Sequence, residues 1–377
     1  MKIKIEKSLL KNILEKVQSL TNNKTSFPIT KNIIIEAKEN NCISFLATNL
    51  ISSFYAVKET EVQKKGKIAL NALKLFEIVK FYPDTHIEIE EIDDQWIKIG
   101  QNDVIYNIVG VIPDDFPDVM EEYKIDENYE YIEIDGNEIK KGLSIANLSN
   151  YEEHDSKPFI TGFYLGFIKD NEKNISRMYS TNRASLTKYD IYMENDILEK
   201  FSNQNIVIPK NIIQSLNAII TDSKIKLTFT EKNLIIKQDH EYFCTSLYEN
   251  KFPDCNAIFN TENFNLIKLN KTEFTDILKR MSIIVEDKNP IVFFKFSDNN
   301  LLINTSNHEI GESKEESKID YQGEEIKTSF NPKIILKFIK YIEEENLLFY
   351  IKDNKSNCII KGMEDNNYTF TLMPMVM

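Results

Sequence analysis

Lysines at helical spacing are the side chains of this sequence best placed to do chemistry. Lys333, Lys337 and Lys340 follow one another at i, i+4 and i+7, which puts all three on one face of a helix. An ammonium group is a mobile point charge that attracts phosphate, whereas bidentate reading of base edges needs Arg, Asn or Gln. The stripe therefore predicts a weak and salt-sensitive contact with a polyanion, without sequence readout.

Positive charge is concentrated in the segments whose apolar periodicity predicts helices. The whole chain has 46 basic and 59 acidic residues, a formal net charge of −13. The predicted helices hold thirteen basic and five acidic residues, so they carry +8 and the remainder carries −21. They are 8–20, 71–82, 136–147, 209–220, 270–284 and 331–342. Lysine is common on the wet face of any helix; the alternative is that the six polar faces gather on one phosphate-attracting surface.

Residue types that serve in catalytic and metal sites form no recognisable pattern. No HxxxH, HExxH, GxSxG or P-loop motif occurs, and no two cysteines form a CxxC pair. The histidines and cysteines are scattered over the chain: His86, His154, His240, His308, Cys42, Cys244, Cys255 and Cys358. The sequence therefore favours a non-catalytic protein with no cofactor, no metal and the reduced cysteines of a cytoplasmic protein.

Internal repeats organise the elements that carry these lysines. A Phe-Pro-Asp mark at 116–118 returns at 252–254, and Met373-Pro374-Met375 occupies the corresponding place near the end of the chain. Predicted helices begin 43 to 46 residues before each of these prolines, at Asn71, Pro209 and Asn331. A third match, Thr-Asn or Ser-Asn, occurs at 48–49, 181–182 and 306–307. The sequence thus predicts three copies of one structural unit.

Apolar residues alternate with polar ones in the remaining segments, which predicts antiparallel hairpins. Each repeat then reads as a strand, a helix, several strands, a second helix and further strands, an α+β pattern. Polar stretches place the repeat boundaries so that the predicted domains are 1–128, 129–264 and 265–377. The N-terminal residues alternate like a first strand instead of a secretion signal, and no apolar run reaches the roughly 18 residues of a membrane span.

The repeats, the Phe-Pro-Asp marks and Met373-Pro374-Met375 together resemble the bacterial sliding clamps, the β subunits of DNA polymerase III. The resemblance runs from Met1 to Met377 with all three repeats in register. It implies the DNA-clamp fold and a head-to-tail homodimeric ring lined by helices. It also implies a cytoplasmic processivity factor that encircles duplex DNA and tethers the replicative polymerase.

The resemblance, with helix position, assigns site residues. A basic face would contact double-stranded DNA non-specifically, with Lys24, Lys80, Lys141 and Lys210 matching family positions and Lys140, Lys279, Lys333, Lys337 and Lys340 inferred from helix position. A pocket between the second and third repeats would receive short linear motifs of the polymerase α subunit, the clamp loader and repair polymerases. Its matching residues are Ile160, Thr181, Leu186, Pro253, Ile258, Asn331, Ile334, Leu372, Met373, Pro374 and Met375. Ile283 and Ile284 match the dimer contact.

Four places depart from the family pattern, and three of them concern the pocket. Asn182-Arg183-Ala184-Ser185 stands where the family usually has Asp-Gly-His-Arg, Ala257 replaces a basic residue, and Asn289 replaces an aromatic one. Val376-Met377 ends the chain where Arg-Leu is common. We therefore expect a pocket with an altered motif preference.

Two other functions remain open at this point. One is an α+β enzyme whose site has no recognisable motif; a convergent set of titratable residues would favour it. The other is a protein-interaction scaffold that never touches DNA. Reversing Lys333, Lys337 and Lys340 to Glu separates the scaffold from the clamp, because only a clamp would lose DNA loading.

Overall fold

The computed structural model describes residues 1–22, 27–93, 95–117, 129–149, 157–170, 172–194, 196, 199–202, 204–286, 288, 290–364 and 367–375. The chain forms two compact units. Unit 1 comprises Met1–Lys140 and Asn211–Leu247, and unit 2 comprises Lys141–Lys210 and Tyr248–Met377. Lys24 and Asn289 lie outside the described residues, as do the predicted domain boundary at 128 and the last two residues of the chain.

The described helices occur close to the predicted segments, except for one unpredicted turn at Pro158–Thr161. They are α1 (Lys7–Thr21), α2 (Ala72–Phe81), α3 (Gly136–Ala146), the single turn α4 (Pro158–Thr161), α5 (Ile213–Ile219), α6 (Lys271–Met281) and α7 (Pro332–Ile339). The fourth predicted helix begins later than expected, because Lys210–Ile212 forms a 3₁₀ turn before α5 starts. No described helix is both long enough and apolar enough to cross a membrane.

The strands follow in chain order. The first are β1 (Lys2–Glu6), β2 (Asn32–Ala37), β3 (Cys42–Thr48), β4 (Ser52–Glu59), β5 (Glu61–Lys64), β6 (Gly66–Asn71), β7 (His86–Asp93), β8 (Trp96–Gln101), β9 (Val104–Val109), β10 (Ile132–Asp135), β11 (Gly162–Asp170), β12 (Lys173–Thr181) and β13 (Ser185–Met193). The others are β14 (Ile206–Pro209), β15 (Lys224–Phe229), β16 (Asn233–Gln238), β17 (Glu241–Ser246), β18 (Asn265–Asn270), β19 (Val292–Ser297), β20 (Asn300–Asn307), β21 (Gly311–Lys318), β22 (Ile326–Phe330), β23 (Asn346–Ile351), β24 (Cys358–Gly362) and β25 (Tyr368–Leu372).

The element order repeats three times, as predicted. Each repeat has one strand (β1, β10 or β18), then a long helix (α1, α3 or α6), a group of strands, a second helix (α2, α5 or α7) and three final strands. The strand groups between the two helices are β2–β6, β11–β14 and β19–β22. In the described part of the chain the protein is therefore α+β with three repeats, each with two longer helices and antiparallel strands, and the second repeat adds the single turn α4.

Asparagine caps start one helix in the first repeat and both helices in the third. The side chain of Asn71 accepts a hydrogen bond from Lys74 N, and that of Asn270 accepts one from Glu273 N. Asn331 likewise accepts from Lys333 N and is followed by Pro332 at the first helical position, where the missing N–H costs nothing. Each cap satisfies a backbone donor that has no partner inside its helix, so these helices start where the sequence places them.

Unit 1 contains a sheet that joins the first two repeats. Its eight strands run in the order β10-β15-β16-β17-β4-β3-β2-β6, and the repeats meet where β17 pairs antiparallel with β4. A five-stranded sheet, β5-β1-β7-β8-β9, belongs to the first repeat alone. The apolar side of α1, which includes Leu10, Leu14 and Val17, is fully buried, and α1 packs against α2 and α5.

Unit 2 has the same construction for the second and third repeats. Its eight-stranded sheet is ordered β14-β11-β12-β13-β25-β24-β23-β18, and the repeats meet where β13 pairs antiparallel with β25. A four-stranded sheet, β21-β20-β19-β22, belongs to the third repeat alone. Phe274, Phe294 and Phe349 form an aromatic core beneath α6, which packs on α7.

Candidate functional site

A tight turn between β12 and β13 forms one wall of a cavity in unit 2. Thr181 Oγ1 donates to Ser185 O at 2.7 Å, and Asn182 Oδ1 accepts from Ser185 N at 2.8 Å. These bonds hold Arg183 at φ 77°, in the left-handed region that non-glycine residues seldom adopt. The Thr48-Asn49 turn of unit 1 makes the same bonds, with Leu50 at φ 74°, which explains the Thr-Asn match between repeats.

The cavity beside this turn, which we call the anchor pocket, has a volume of about 330 Å³. Most of its lining comes from three parts of unit 2, which are the turn at 181–186, the segment 253–258 and the chain end near Met373, and Phe159 and Asn357 complete it. The lining residues are Phe159, Thr181, Arg183, Ala184, Ser185, Leu186, Pro253, Cys255, Ile258, Asn357, Thr371 and Met373. A mostly apolar pocket with a few polar groups is typical of a binding site for a short segment of a partner.

Aromatic rings support the floor of the anchor pocket. Tyr179 stacks on Phe252 and Phe259 at ring distances of 6.4 and 5.9 Å, and its hydroxyl donates to Asn256 Oδ1 at 2.8 Å. Asn205 fixes Phe252 by accepting from its backbone N–H and donating to its carbonyl, both at 2.8 Å. Pro253 and Ile258 are therefore held on a rigid base, which reduces the conformational entropy that the pocket itself loses when a ligand binds.

The structure brings five of the eleven residues assigned to the pocket together on its wall: Thr181, Leu186, Pro253, Ile258 and Met373. Ile160, Leu372 and Pro374 are buried behind the lining. Asn331 caps α7, and Ile334 lies within that helix, so neither lines the anchor pocket. Met375 lines a different cavity of unit 2.

Seven lining residues were absent from the sequence assignment: Phe159, Arg183, Ala184, Ser185, Cys255, Asn357 and Thr371. Arg183, Ala184 and Ser185 belong to the turn that departs from the family pattern, so that departure was itself a usable signal. The sequence contained no signal for Asn357 and Thr371, because they are 14 residues apart in the chain. They meet only in the folded structure, where Asn357 Nδ2 donates to Thr371 Oγ1 at 2.7 Å.

The chemistry of the anchor pocket is that of binding. Burial raises the pKa of the Cys255 thiol to about 11, so the thiol stays protonated at neutral pH and is a poor nucleophile. No group of three or more His, Cys, Asp or Glu side chains in the described part of the chain is arranged to hold a metal ion. Arg183 supplies the positive charge in the lining.

The lysine stripe on α7 is exposed, as its spacing predicts. Lys333, Lys337 and Lys340 are exposed, while Ile335, Phe338 and Ile339 on the other side of the helix are buried. Lys80 at the end of α2 is also exposed and lies 5.3 Å from the Phe81 ring centroid. These four lysines present ammonium groups to solvent, where they can meet phosphate.

Several helical lysines are paired with carboxylates. Lys140 lies 2.6 Å from Asp222, Lys141 lies 2.6 Å from Glu343, and Lys279 lies 3.2 Å from Asp276. Lys16 is buried against Glu241 at 2.6 Å. The +8 count for the helices therefore overstates their free positive charge, because Asp222, Glu343 and Glu241 lie outside the counted segments.

Lys210 is not a surface cation, which corrects its assignment to the DNA face. Its side chain is 6% exposed, and its Nζ donates to Ser149 O at 2.7 Å and to Thr181 O at 2.9 Å. Burial lowers the pKa of Lys210 to about 7. Within unit 2 the Lys210 side chain therefore binds the carbonyl groups of Ser149 and of the Thr181 turn of the anchor pocket, so its role is structural.

Stability should depend on pH through Lys210. An unfolded lysine titrates near 10.4, so between pH 7 and 10 the unfolded chain binds more protons than the folded one, and the free energy of unfolding increases with pH. From pH 7 to pH 9 we expect the parent to gain roughly 2 kcal/mol relative to Lys210→Met, measured by urea unfolding. Lys232→Met, at an exposed lysine, should change with pH as the parent does. A pH-independent difference between parent and Lys210→Met would contradict the prediction.

Apolar side chains are exposed in both units. Ile283, just after α6 in unit 2, is 71% exposed, and Ile284 is half-buried. In unit 1 a separate cavity of about 330 Å³ lies between α2 and β9 and is lined in part by Ile78, Phe81 and Tyr106. Exposed apolar surface of this kind marks interaction sites.

Three family models match successive parts of this chain. The N-terminal domain of the DNA polymerase III beta subunit matches residues 1–120, the central domain matches 133–254, and the C-terminal domain matches 256–376. Together the three models cover nearly the whole chain, in the order in which the domains occur in that family.

Whole-chain comparisons agree with these matches. Proteins named Beta sliding clamp from Chlamydia pneumoniae and Staphylococcus epidermidis are 22% and 24% identical, over 100% and 93% of this chain and 99% and 93% of their own lengths. The crystal structure of the DNA polymerase sliding clamp from Bacillus subtilis superposes with a TM-score of 0.88 at 23% identity, covering 100% of this chain and 99% of that one. At this identity the superposition establishes the fold.

Proposed function

Because the chain belongs to the DNA polymerase III beta subunit family, and is thus a non-catalytic DNA sliding clamp, we propose that two copies close head to tail into a ring around duplex DNA. The three predicted domains, 1–128, 129–264 and 265–377, would be the segments of this ring. The ring would work in the cytoplasm, where bacterial DNA is replicated.

The pairing of repeats at the sheet junctions is the observation that carries this proposal. At both junctions, the third strand after the first helix of one repeat pairs with the last strand of the next: β4 with β17, and β13 with β25. By the same rule β21 of the third repeat should pair with β9 of a first repeat. Both are edge strands of their sheets, and an unpaired edge is a template for strand addition. A second copy supplies the missing partner.

Apolar surface supports the same contact. We propose that Ile283 and Ile284 of one subunit face the α2–β9 cavity of the other, since that cavity adjoins the β9 edge. This contact is heterologous, and a heterologous contact forms a closed ring only if its rotation closes. Twelve helices spaced roughly 8–10 Å apart enclose a circle about 31–38 Å across, which is wide enough for duplex DNA.

Encirclement explains how lysines can hold the protein on DNA although they do not read the bases. Lys80, Lys333, Lys337 and Lys340 would meet phosphates along the bore, with Lys140, Lys141 and Lys279 contributing where their carboxylate partners yield to phosphate. Each contact is weak and sequence-independent, so the ring can slide. Escape requires the ring to open or to reach a DNA end.

The anchor pocket would bind the short motifs of the polymerase α subunit, the clamp loader and repair polymerases. Its apolar lining, with Leu186, Ile258 and Met373, suits buried anchor side chains, and the flexible Met373 suits several different partners. Arg183 lies in the lining while Ala257 stands where the family has a basic residue, which supports an altered motif preference.

Retention on DNA tests the topological part. The ring, placed on nicked circular plasmid by its cognate loader, should remain bound in gel filtration and should be lost once the plasmid is cut to a linear form. Equal retention on circular and linear DNA would contradict encirclement.

Charge reversal of the α7 stripe should weaken DNA contact without affecting the anchor pocket. For Lys333→Glu/Lys337→Glu/Lys340→Glu we expect the slope of log K against log salt to fall by roughly three or more, because each lysine–phosphate contact releases about 0.9 counterion. Binding of a motif peptide should stay within about twofold, since none of the three lysines lines the pocket.

The matched control for this stripe is Lys64→Glu/Lys65→Glu/Lys67→Glu, which reverses three exposed lysines outside the helices. Its net charge equals that of the stripe variant, so a general charge effect would change both. An unchanged salt slope in the stripe variant would favour the scaffold that does not touch DNA.

A further inference from the structure

A larger cavity with a basic rim lies beside the anchor pocket in unit 2. It has a volume of about 550 Å³, and Phe293, Leu302 and Met375 form part of its lining. Lys295, Lys327 and Lys355 also line it, and no Asp or Glu does. We call it the lysine-rimmed cavity. An apolar ligand alone would not need these three lysines.

Strand register explains how the lysines and apolar residues come to share one face. Lys295 on β19 lies opposite Lys327 on β22 and opposite Leu302 on β20. Two residues earlier on β19, Phe293 lies opposite Ser329 and Asn304. Since alternate residues of a strand point to the same side of a sheet, these two rows form one continuous surface.

The rim carries uncompensated positive charge. Glu325 accepts from Lys295 at 2.7 Å and from Lys327 at 2.9 Å, so one carboxylate serves two ammonium groups. Lys355, on the turn after β23, is exposed and adds a third positive charge. Such a rim is complementary to a ligand that carries more than one carboxylate.

A short extended segment, residues 373–375, separates this cavity from the anchor pocket. Met373 lines the anchor pocket and Met375 lines the lysine-rimmed cavity. Met373 N donates to Ala184 O at 2.8 Å, while Met375 N donates to Ser329 O at 2.9 Å and Ser329 Oγ donates to Met375 O at 2.6 Å. The wall between the two cavities is therefore fixed, and a peptide leaving one cavity arrives at the other within a few residues.

We propose that the lysine-rimmed cavity receives the acidic flank of the same partner peptide whose apolar residues occupy the anchor pocket. This inference rests on the proposed function of the anchor pocket. The flank would place a side chain against Phe293, Leu302 and Met375 and its carboxylates beside Lys295, Lys327 and Lys355. An apolar floor within a basic rim fits a peptide better than it fits a phosphate backbone. Partners would then be selected by acidic residues beside their motif as well as by the motif itself.

Two synthetic peptides test this assignment by fluorescence anisotropy at about 50 mM salt. Both carry a Leu-Phe anchor; one has three Glu on each side of it and the other has three Gln on each side. We expect the Glu-flanked peptide to bind the parent roughly tenfold more tightly than the Gln-flanked one, with the difference shrinking as salt increases. Lys327→Glu/Lys355→Glu should remove or reverse this preference while leaving the Gln-flanked peptide unaffected.

Lys232→Glu is the control for charge, because this exposed lysine of unit 1 lines neither cavity. If Met373→Glu weakens binding of the Gln-flanked peptide but the Glu-flanked peptide binds the parent no more tightly than the Gln-flanked one, this inference is wrong. The proposed role of the anchor pocket would still be supported. If neither peptide binds the parent, the anchor pocket fails and the inference with it. A dT12 oligonucleotide is the competitor that tests for a phosphate site. If it displaces the Glu-flanked peptide from the parent but not from Lys327→Glu/Lys355→Glu, the cavity binds phosphate and the proposal is wrong.

Discussion

Ile283→Asp should convert the ring to a monomer. The parent should sediment and scatter light as a particle of twice the 44.1 kDa chain mass, and the variant as a single chain. Ile283 is 71% exposed in the single chain, so its replacement should leave folding nearly unchanged. In the proposed contact the new carboxylate would be buried among Ile78, Phe81 and Tyr106. Lys74, which also lines that cavity, is already paired with Glu77 at 2.8 Å.

The size of this effect follows from the closure of the ring. In the proposed ring two identical contacts close the dimer, so each substitution acts twice. Truncating a hot-spot residue at the centre of an interface costs about 2 kcal/mol or more, and an unpaired buried charge costs more still. We therefore expect the dissociation constant to increase by at least about a hundredfold and retention on circular DNA to be lost.

A matched control separates this result from a general effect of a surface aspartate. Ile51 is 48% exposed, lies in the Thr48-Asn49 turn of unit 1 and does not line the α2–β9 cavity. Ile51→Asp should remain a dimer. A dimeric Ile283→Asp, or equal dissociation of both variants, would argue against the head-to-tail contact.

Met373→Glu should abolish binding of partner motifs while the ring stays intact. Met373 is 47% exposed and lines the anchor pocket, where a carboxylate would meet the apolar anchors of the peptide. We expect a loss of roughly 30-fold or more in affinity for a motif peptide from the cognate polymerase, measured by anisotropy. Processive synthesis on primed circular DNA should fall to the level seen without the clamp.

The chain offers a closely matched control in Met363, which is 48% exposed and lines neither the anchor pocket nor the lysine-rimmed cavity. Met363→Glu should bind the peptide as the parent does. Both variants should keep the parent's sedimentation behaviour, because neither methionine lies in the proposed subunit contact. Normal peptide affinity in Met373→Glu would show that the anchor pocket is not the docking site.

The sequence by itself determined the repeated architecture. Apolar spacing indicated the longer helices and the hairpins of each repeat, since the periods of 3.6 and 2 follow from the backbone alone. The N-caps at Asn71 and Asn331 and the hairpin that pairs Ile89 with Ile99 were readable for the same reason. These features depend on residues close together in the chain.

Only the tertiary structure decided which charged and apolar groups are available. Lys141 and Glu343 lie 202 positions apart, and Lys210 is buried against carbonyls 29 and 61 positions away. Helical periodicity places a lysine on a wet face but does not say which carboxylate or carbonyl will meet it there. For the same reason the observed lining of the anchor pocket includes Asn357, which was not predicted, and does not include Asn331, which was. A cavity wall is built from segments distant in sequence, and side-chain spacing within one segment holds no information about its neighbours in space.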